Sequence, residues 1–176
     1  MDLEITWTPF ELHPDTPPEG IPLHEYFGRD PSQFEESYRG LKQRVEELGL
    51  PMGDVPSVMS NSNKVLRLAE YARDNGVFDR LHLPAFEAYF ADDRNLGEDQ
   101  VLRELAEEAG LDPDEAMRVL DGGDYEDRIE NAMRRAREYG ITGTPTFVVE
   151  GRYGIVGAQP YEALRDGLKK IQEEMG

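Results

Sequence analysis

The sequence predicts a mixed α/β fold in which strands lie near both ends of the chain and a block of helices lies between them. Apolar and polar residues alternate over residues 3–8, which is the period of a strand. Helical periods recur through the middle of the chain. Two short apolar runs, Thr146–Val149 and Tyr153–Val156, flank a Glu-Gly-Arg turn and predict a β-hairpin. Pro160 then begins a last amphipathic helix.

The region after the opening strand is dominated by proline. Six prolines lie between residues 9 and 31, so a regular helix or a central strand is excluded there and an extended connection is predicted. A helical period follows and ends at Gly49. Its apolar face consists of Phe34, Tyr38, Leu41, Val45 and Leu48. Residues 50–60 contain two more prolines and are predicted to form a second loop.

Five further helices are predicted from periodicity and from helix-ending glycines. They cover residues 62–75, 77–91, 98–109, 113–120 and 125–139. The start of the fourth is the clearest, because Asp112 is a good N-cap, Pro113 fits the first turn and Glu115 occupies a capping-box position. We expect one domain with three parts: a strand and proline-rich connection at 1–31, a helical insertion at 32–122, and a helix, hairpin and C-terminal helix at 123–176.

The composition narrows the possible partners and location. The net charge is −18, which repels phosphate backbones and anionic lipids, so neither nucleic acid nor a membrane is an expected partner. No apolar run approaches the roughly 20 residues of a membrane span, and the first residues lack a signal-peptide pattern. A cytoplasmic location is therefore expected. The acidic, lysine-poor surface also favours a halophilic source, with an acidic mesophile protein as the alternative.

The chain contains no cysteine, which excludes disulfides, thiol nucleophiles and thiolate metal sites within it. Its three histidines, His13, His24 and His82, are far apart in the sequence and none has ligand-like spacing. Adjacent acidic residues are frequent, as expected for 37 carboxylates, and indicate solvated surfaces. The sequence contains neither a nucleophile-elbow motif nor a phosphate-binding glycine loop. We therefore predict no catalytic residue, no metal and no cofactor.

A short turn at the entry to the hairpin is the strongest candidate for a binding site. It consists of Gly143, Thr144 and Pro145 and lies between a long helix and an apolar strand. A cis bond before Pro145 would turn the backbone of Thr144 outward and leave its amide and carbonyl free for an extended peptide. A second group lies at the end of the opening strand and consists of Trp7, Pro9 and Phe10. Core packing is the main interpretation of this group, and one wall of the peptide groove is the alternative.

Four stretches together resemble the DsbA-family oxidoreductases, and most closely their FrnE-like branch. They are Trp7-Thr8-Pro9-Phe10-Glu11-Leu12-His13-Pro14, Leu83-Pro84-Ala85-Phe86-Glu87-Ala88-Tyr89-Phe90, Gly140-Ile141-Thr142-Gly143-Thr144-Pro145-Thr146-Phe147-Val148-Val149 and Gly157-Ala158-Gln159-Pro160. The resemblance implies a thioredoxin-like fold with an inserted all-helical subdomain. It also implies that Pro145 is the cis-proline, that Thr144 is its substrate-facing neighbour, and that the partner is an extended peptide or a protein thiol.

The chain departs from this family at its start. Members begin with a strand, a Cys-x-x-Cys turn and a helix that precede the equivalent of Trp7, so the resemblance implies that the first βα unit is missing. No position can therefore inherit the catalytic cysteines. In the family fold this strand lies between the equivalents of residues 3–8 and Thr146–Val149. We expect two unpaired strand edges, which could pair directly, accept a second chain, or bind a separately supplied segment.

Three functions follow from the resemblance. The first is a DsbA-like, FrnE-type protein of the dithiol–disulfide oxidoreductase family that is redox-inactive in this cysteine-free form. The second is a non-catalytic peptide-binding or assembly module that forms a homodimer. The third is a protein similar to glutathione-dependent 2-hydroxychromene-2-carboxylate isomerase, whose family shares the Gly-x-Pro strand entry. Whether the protein is an enzyme is left open at this point.

Overall fold

The computed structural model describes residues 3–28 and 31–175, and for residues 31–34 it describes the backbone only. The helices of this part of the chain are α1 (Leu23–Phe27), α2 (Pro31–Glu47), α3 (Asn63–Asp74), α4 (Phe78–Phe90), α5 (Asp99–Ala109), α6 (Pro113–Asp121), α7 (Glu126–Glu138) and α8 (Tyr161–Met175). Its strands are β1 (Ile21–Pro22), β2 (Val58–Met59), β3 (Thr146–Val149) and β4 (Tyr153–Val156). The strands form two antiparallel pairs, β1 with β2 and β3 with β4.

The predicted α/β fold class is confirmed, and so are the central helices and the hairpin. Helices α3 to α7 each begin and end within about two residues of the predicted bounds, which is the ordinary uncertainty of helix ends. Strands β3 and β4 occupy the predicted residues and pair with Thr146 opposite Val156 and Val149 opposite Tyr153. Glu150 and Gly151 both have positive φ in the connecting turn. The turn sequence therefore favours this hairpin, because it places a glycine at a position with left-handed backbone.

The predicted opening strand is wrong. Residues 3–8 have no strand partner, although their apolar residues alternate. Leu3, Ile5 and Trp7 are 53%, 70% and 52% exposed, so the alternation does not separate a buried face from a solvated one. A strand needs a neighbour to complete its backbone hydrogen bonds, and the described residues do not place one beside this segment. The segment is attached instead at Trp7, whose carbonyl accepts a hydrogen bond from Arg73 at 2.9 Å.

The two predicted loops also contain regular structure. Strand β1 and helix α1 lie within the proline-rich connection, and β2 lies within the predicted loop at 50–60. Proline is tolerated here because Pro22 ends a strand of two residues and immediately precedes α1, where a missing N–H costs little. The amide of Leu23 donates to the carbonyl of Ser57 at 3.0 Å. The connection is therefore held against the segment that precedes α3.

The buried core lies among the helices from α3 to α7. Helix α5 packs against α3, α4 and α6, while α7 packs against α3. The largest fully buried side chains belong to Leu68, Leu81, Leu102, Leu105 and Ile129. Helix α2 contributes little to this buried core, because Leu41 and Leu48 of its predicted apolar face are 47% and 77% exposed. The side chain of Phe34, on the same predicted face, lies outside the described residues. The hairpin packs against α8 instead.

Gly53 joins the loop before β2 to the end of α4. Its amide donates to the carbonyl of Phe90 at 2.8 Å, and a Cβ at this position would lie 2.5 Å from the carbonyl oxygen of Ala91. We expect Gly53→Ala to lower the free energy of unfolding by about 2 kcal/mol, because the helix backbone cannot move aside cheaply. Urea unfolding measures this. Gly40→Ala is the control, since no atom lies within 4 Å of its added Cβ; equal stability of the two variants would contradict the prediction.

Candidate functional site

The turn before β3 is held in a defined shape by two hydrogen bonds. The amide of Gly157 donates to the carbonyl of Pro145 at 2.8 Å, and the Thr146 hydroxyl donates to the carbonyl of Gly143 at 2.8 Å. The Thr144–Pro145 peptide bond is cis. Thr144 and Pro145 are both exposed. The structure therefore brings the three predicted site residues together at one exposed corner, where β3 begins.

The backbone of Thr144 is available to a ligand. Pro145 lies opposite Gly157, and its carbonyl accepts the hydrogen bond from the Gly157 amide, so this pair continues the bonded positions of the antiparallel ladder. Thr144 precedes this pair across the cis bond and lies outside β3, so its amide and carbonyl are not part of the ladder. Neither group makes a hydrogen bond within the described residues. An extended peptide could therefore pair with both.

A small open cavity adjoins this corner on one face of the hairpin. It has a volume of about 220 Å³, and its lining includes Tyr139, Ile141, Val148, Arg152 and Val156. Helix α8 covers the opposite face, where Ile155 approaches Gly167. The nine residues from 141 to 149 carry no charged side chain, although 32% of the whole chain is charged. The stretch from 141 to 149 is thus uncharged and partly apolar, and Arg152 is the charged residue of the cavity lining.

Trp7 lies on the helical block rather than in the core. Its ring centroid is 5.0 Å from that of His82 in α4, and it is half exposed, so the core-packing prediction is wrong for Trp7. His82 also stacks on Phe78 at 4.8 Å. Burial lowers the pKa of His82, with a smaller contribution from Arg73 and an opposing one from Asp79. Pro9 and Phe10 are half-buried. The alternative interpretation, one wall of a peptide groove near Pro145, stays a prediction.

The three histidines have different side-chain partners in the structure. The Nδ1 atom of His13 forms a hydrogen bond with the Tyr26 hydroxyl at 2.8 Å. The Nε2 atom of His24 lies 3.9 Å from Oε1 of Glu25. Among the described residues, no group of three potential ligands is placed to hold a metal ion. In the same part of the chain, none of the helices combines the length and apolar character required to cross a bilayer.

Comparison with known proteins gives the family of the chain. The model of the DSBA-like thioredoxin domain matches residues 1–169. The chain belongs to this family. A crystal structure of a probable DsbA oxidoreductase from Streptomyces coelicolor superposes with a TM-score of 0.84 at 31% identity, covering 94% of this chain and 74% of that one. This DsbA-like chain therefore has the thioredoxin-like fold that its motifs implied.

Two curated proteins are also similar to this DsbA-like chain. The uncharacterised protein YwbO of Bacillus subtilis is 30% identical over 175 residues, which cover 96% of this chain and 84% of YwbO. The thiol:disulfide interchange protein DsbA of Azotobacter vinelandii is 28% identical over 78 residues, covering 44% of this chain and 36% of that protein. The similarity to YwbO extends over nearly the whole chain, whereas the similarity to the Azotobacter protein is confined to less than half of it.

The sequence motif indicated the corner, and the family resemblance implied an unpaired edge on the strand Thr146–Val149. Bonded and non-bonded pairs alternate along the β3–β4 ladder, so the backbone groups of Thr146 and Val148 point away from β4. The signal was present in the loop: a three-residue turn at 150–152 places Pro145 opposite Gly157 and so decides which residues face outward. The proposed site is therefore the beginning of a longer unpaired edge.

Proposed function

We propose that this DsbA-like chain is an FrnE-type, redox-inactive protein that binds extended peptides at Gly143, Thr144 and Pro145. The observation that carries the proposal is the unpaired backbone of Thr144 in a chain without cysteine. Dithiol–disulfide exchange needs a thiolate as nucleophile, and this chain cannot supply one. Peptide binding needs only the backbone groups of the corner and a neutral surface beside them.

The mode of binding follows from the strand geometry. The amide of Thr144 donates to a carbonyl of the peptide, and its carbonyl accepts from the next peptide amide. Tyr139 and Val148 lie beside the corner and offer apolar surface to the peptide side chains. Backbone pairing of this kind is largely independent of sequence, so we expect broad specificity with a preference for apolar side chains.

Redox inactivity is tested directly by insulin reduction with dithiothreitol as the reductant. The purified chain should not accelerate the reaction above the rate of dithiothreitol alone. Catalytic turnover by the purified chain without a second protein would contradict the proposal.

The binding site is tested with Gly143→Leu. A Cβ on Gly143 meets no atom within 4 Å, so the side chain is accommodated by the fold and projects into open space beside Thr144. We expect the affinity for reduced, alkylated insulin to fall by about tenfold or more, because even one lost pair of backbone hydrogen bonds has that effect. Isothermal titration calorimetry measures the dissociation constant. Gly40→Leu, on exposed α2, is the matched control, and an equal loss in both variants would contradict the assignment.

The sequence left two other functions open. A homodimeric assembly module is favoured by the unpaired edge of β3. A protein similar to glutathione-dependent 2-hydroxychromene-2-carboxylate isomerase stays an alternative, and tight glutathione binding in a calorimetric titration would favour it over peptide binding.

We also propose a halophilic source and a cytoplasmic location. The net charge of −18 destabilises the folded chain by self-repulsion at low salt. Raising KCl to about 1 M reduces the Debye length to about 3 Å, so the melting temperature should rise by several degrees. Thermal unfolding monitored by circular dichroism at 0.1 M and 1 M KCl measures this. A melting temperature that does not rise would favour a mesophile source.

A further inference from the structure

Two segments of this chain carry backbone groups that no strand of the described residues pairs with. The first is the outer edge of β3, where Thr146 and Val148 direct their amides and carbonyls away from β4. Thr144 precedes this strand, and its amide and carbonyl make no hydrogen bond within the described residues. The second is residues 3–6, which lie outside every strand pair and carry exposed Leu3 and Ile5. Unpaired strand edges readily pair with another chain.

We propose that two copies of this chain associate by strand addition, with residues 3–6 of each copy pairing with the outer edge of β3 in the other. The inference deepens the proposed function, since it names a second copy as the occupant of the edge that begins at Thr144. The pairing is isologous: each copy donates the same segment and accepts the same segment.

The anchoring of the donor segment supports exchange between copies. Trp7 is fixed to α3 by the hydrogen bond from Arg73 and to α4 by its contact with His82. The amide of Glu11 lies 3.1 Å from the sulfur of Met133 in α7. The chain from Trp7 onward is therefore tied to the helical block, whereas residues 3–6 extend from it with both faces exposed.

The charges of the two segments permit this contact. Glu4 is the one charged residue among residues 3–8, and the stretch from 141 to 149 contains none. Two copies that each carry a charge of −18 repel each other over long distances, but the proposed contact brings few charges together. Salt screens the long-range repulsion and leaves the backbone hydrogen bonds and apolar contacts in place. Dimerisation should therefore strengthen as KCl increases, whereas binding of a basic partner protein would weaken.

Proline substitution distinguishes the two edges of the hairpin. Val148 and Val156 both lie at non-bonded positions of the β3–β4 ladder, so proline at either position spares the hydrogen bonds between the strands. Val148→Pro removes an outward amide from β3, and Val156→Pro removes one from the opposite edge. Sedimentation velocity at 0.1 M and 1 M KCl should show a dimer for the parent chain that tightens with salt. We expect Val148→Pro to weaken it by about tenfold or more and Val156→Pro to leave it unchanged.

The absence of cysteine permits a second test that does not depend on proline. Ile5→Cys and Thr146→Cys are prepared as separate proteins, mixed and oxidised, and the mixture should yield a disulfide-linked heterodimer. Ile5→Cys mixed with Val156→Cys is the control and should yield much less. In the double variant Ile5→Cys/Thr146→Cys, crosslinking within one chain would show that the segment pairs with its own β3.

Several results would overturn the inference. They are a monomer at all salt and protein concentrations, a dimer that Val148→Pro does not weaken, equal crosslinking in the experiment and its control, and crosslinking within one chain. The outcome is separable from that of the proposed function: Gly143→Leu reports on insulin binding, whereas the mixed cysteine variants report on association of the chain with itself.

Discussion

Replacing Arg67 by methionine should lower the free energy of unfolding by about 3 kcal/mol. Arg67 is 4% exposed although it carries a charge. Its Nε donates to the carbonyl of Asp124 at 2.8 Å, its Nη2 donates to the carbonyl of Leu120, and its Nη1 lies 3.3 Å from Glu126. The guanidinium thus joins α3 to the end of α6 and the beginning of α7.

The free energy of unfolding falls because the backbone carbonyls that accept hydrogen bonds from Arg67 remain after the substitution. Methionine fills a similar volume but donates no hydrogen bond, so the carbonyl of Asp124 loses its Arg67 donor and the buried carbonyl of Leu120 keeps the amide of Gly123 at 3.2 Å but loses the charged donor. Glu126 also loses its ion-pair partner. Hydrogen bonds from a charged group contribute about 1.5–3 kcal/mol each. Removing both members of a buried polar pair can be nearly neutral, but backbone carbonyls cannot be removed. Urea unfolding followed by circular dichroism measures the change.

Arg103→Met is the matched control for this substitution. Arg103 forms an exposed ion pair with Asp114 at 2.6 Å, and exposed pairs contribute at most about 1 kcal/mol. We expect the control to differ from the parent by less than about 0.5 kcal/mol. A loss of similar size in both variants would mean that the buried hydrogen bonds of Arg67 do not determine the stability of the α3–α6–α7 junction.

The central helices could be predicted from the local sequence. Helix α6 begins at Pro113 as predicted, and the Asp112 side chain accepts from the amides of Asp114 and Glu115 at 2.9 and 3.0 Å. Only half of the predicted capping box forms, because the Glu115 carboxylate pairs with Arg118. N-caps, helix-ending glycines and the 3.6-residue apolar period all lie within one helix. They can therefore be recognised in the sequence without the tertiary structure.

Features that depend on distant partners could not be predicted in this way. Residues 3–8 have the alternation of a strand, but alternation does not supply the neighbouring strand that a ladder requires. The apolar period at residues 34–48 predicted a buried face, yet Leu41 and Leu48 are 47% and 77% exposed. The burial of Arg67 depends on acceptors that lie more than 50 residues away in the sequence, so no local pattern indicates it.

The candidate site depends partly on local sequence and partly on a distant partner. The Gly-Thr-Pro motif located the corner, because the turn residues and the following strand are adjacent in the sequence. Which backbone groups point outward depends on the pairing register, and that register requires the position of Gly157 opposite Pro145. The motif therefore predicted where a peptide would bind but not how far the unpaired edge continues.

Leu102→Ala should lower the free energy of unfolding by about 4 kcal/mol, the largest effect that we expect from one aliphatic truncation. Leu102 lies in α5 and is fully buried among residues of α3, α4 and α6. The surrounding helices constrain one another, so they cannot collapse into the space that the side chain leaves. Urea unfolding measures the change, with the denaturant dependence compared between variants.

Ile155→Ala in β4 is the matched control and should cost only about 1 kcal/mol. Ile155 is half-buried and packs against α8 at Gly167, and none of the described residues after Ala136 is buried. The hairpin that carries Thr144 and Pro145 is therefore stabilised separately from the helical core. Backbone amides of β3 and β4 should exchange with solvent faster than those of α5, because local opening of the hairpin does not disrupt the core. If Ile155→Ala cost as much as Leu102→Ala, the hairpin would have to unfold together with the core, and binding at its edge would then stabilise the whole chain.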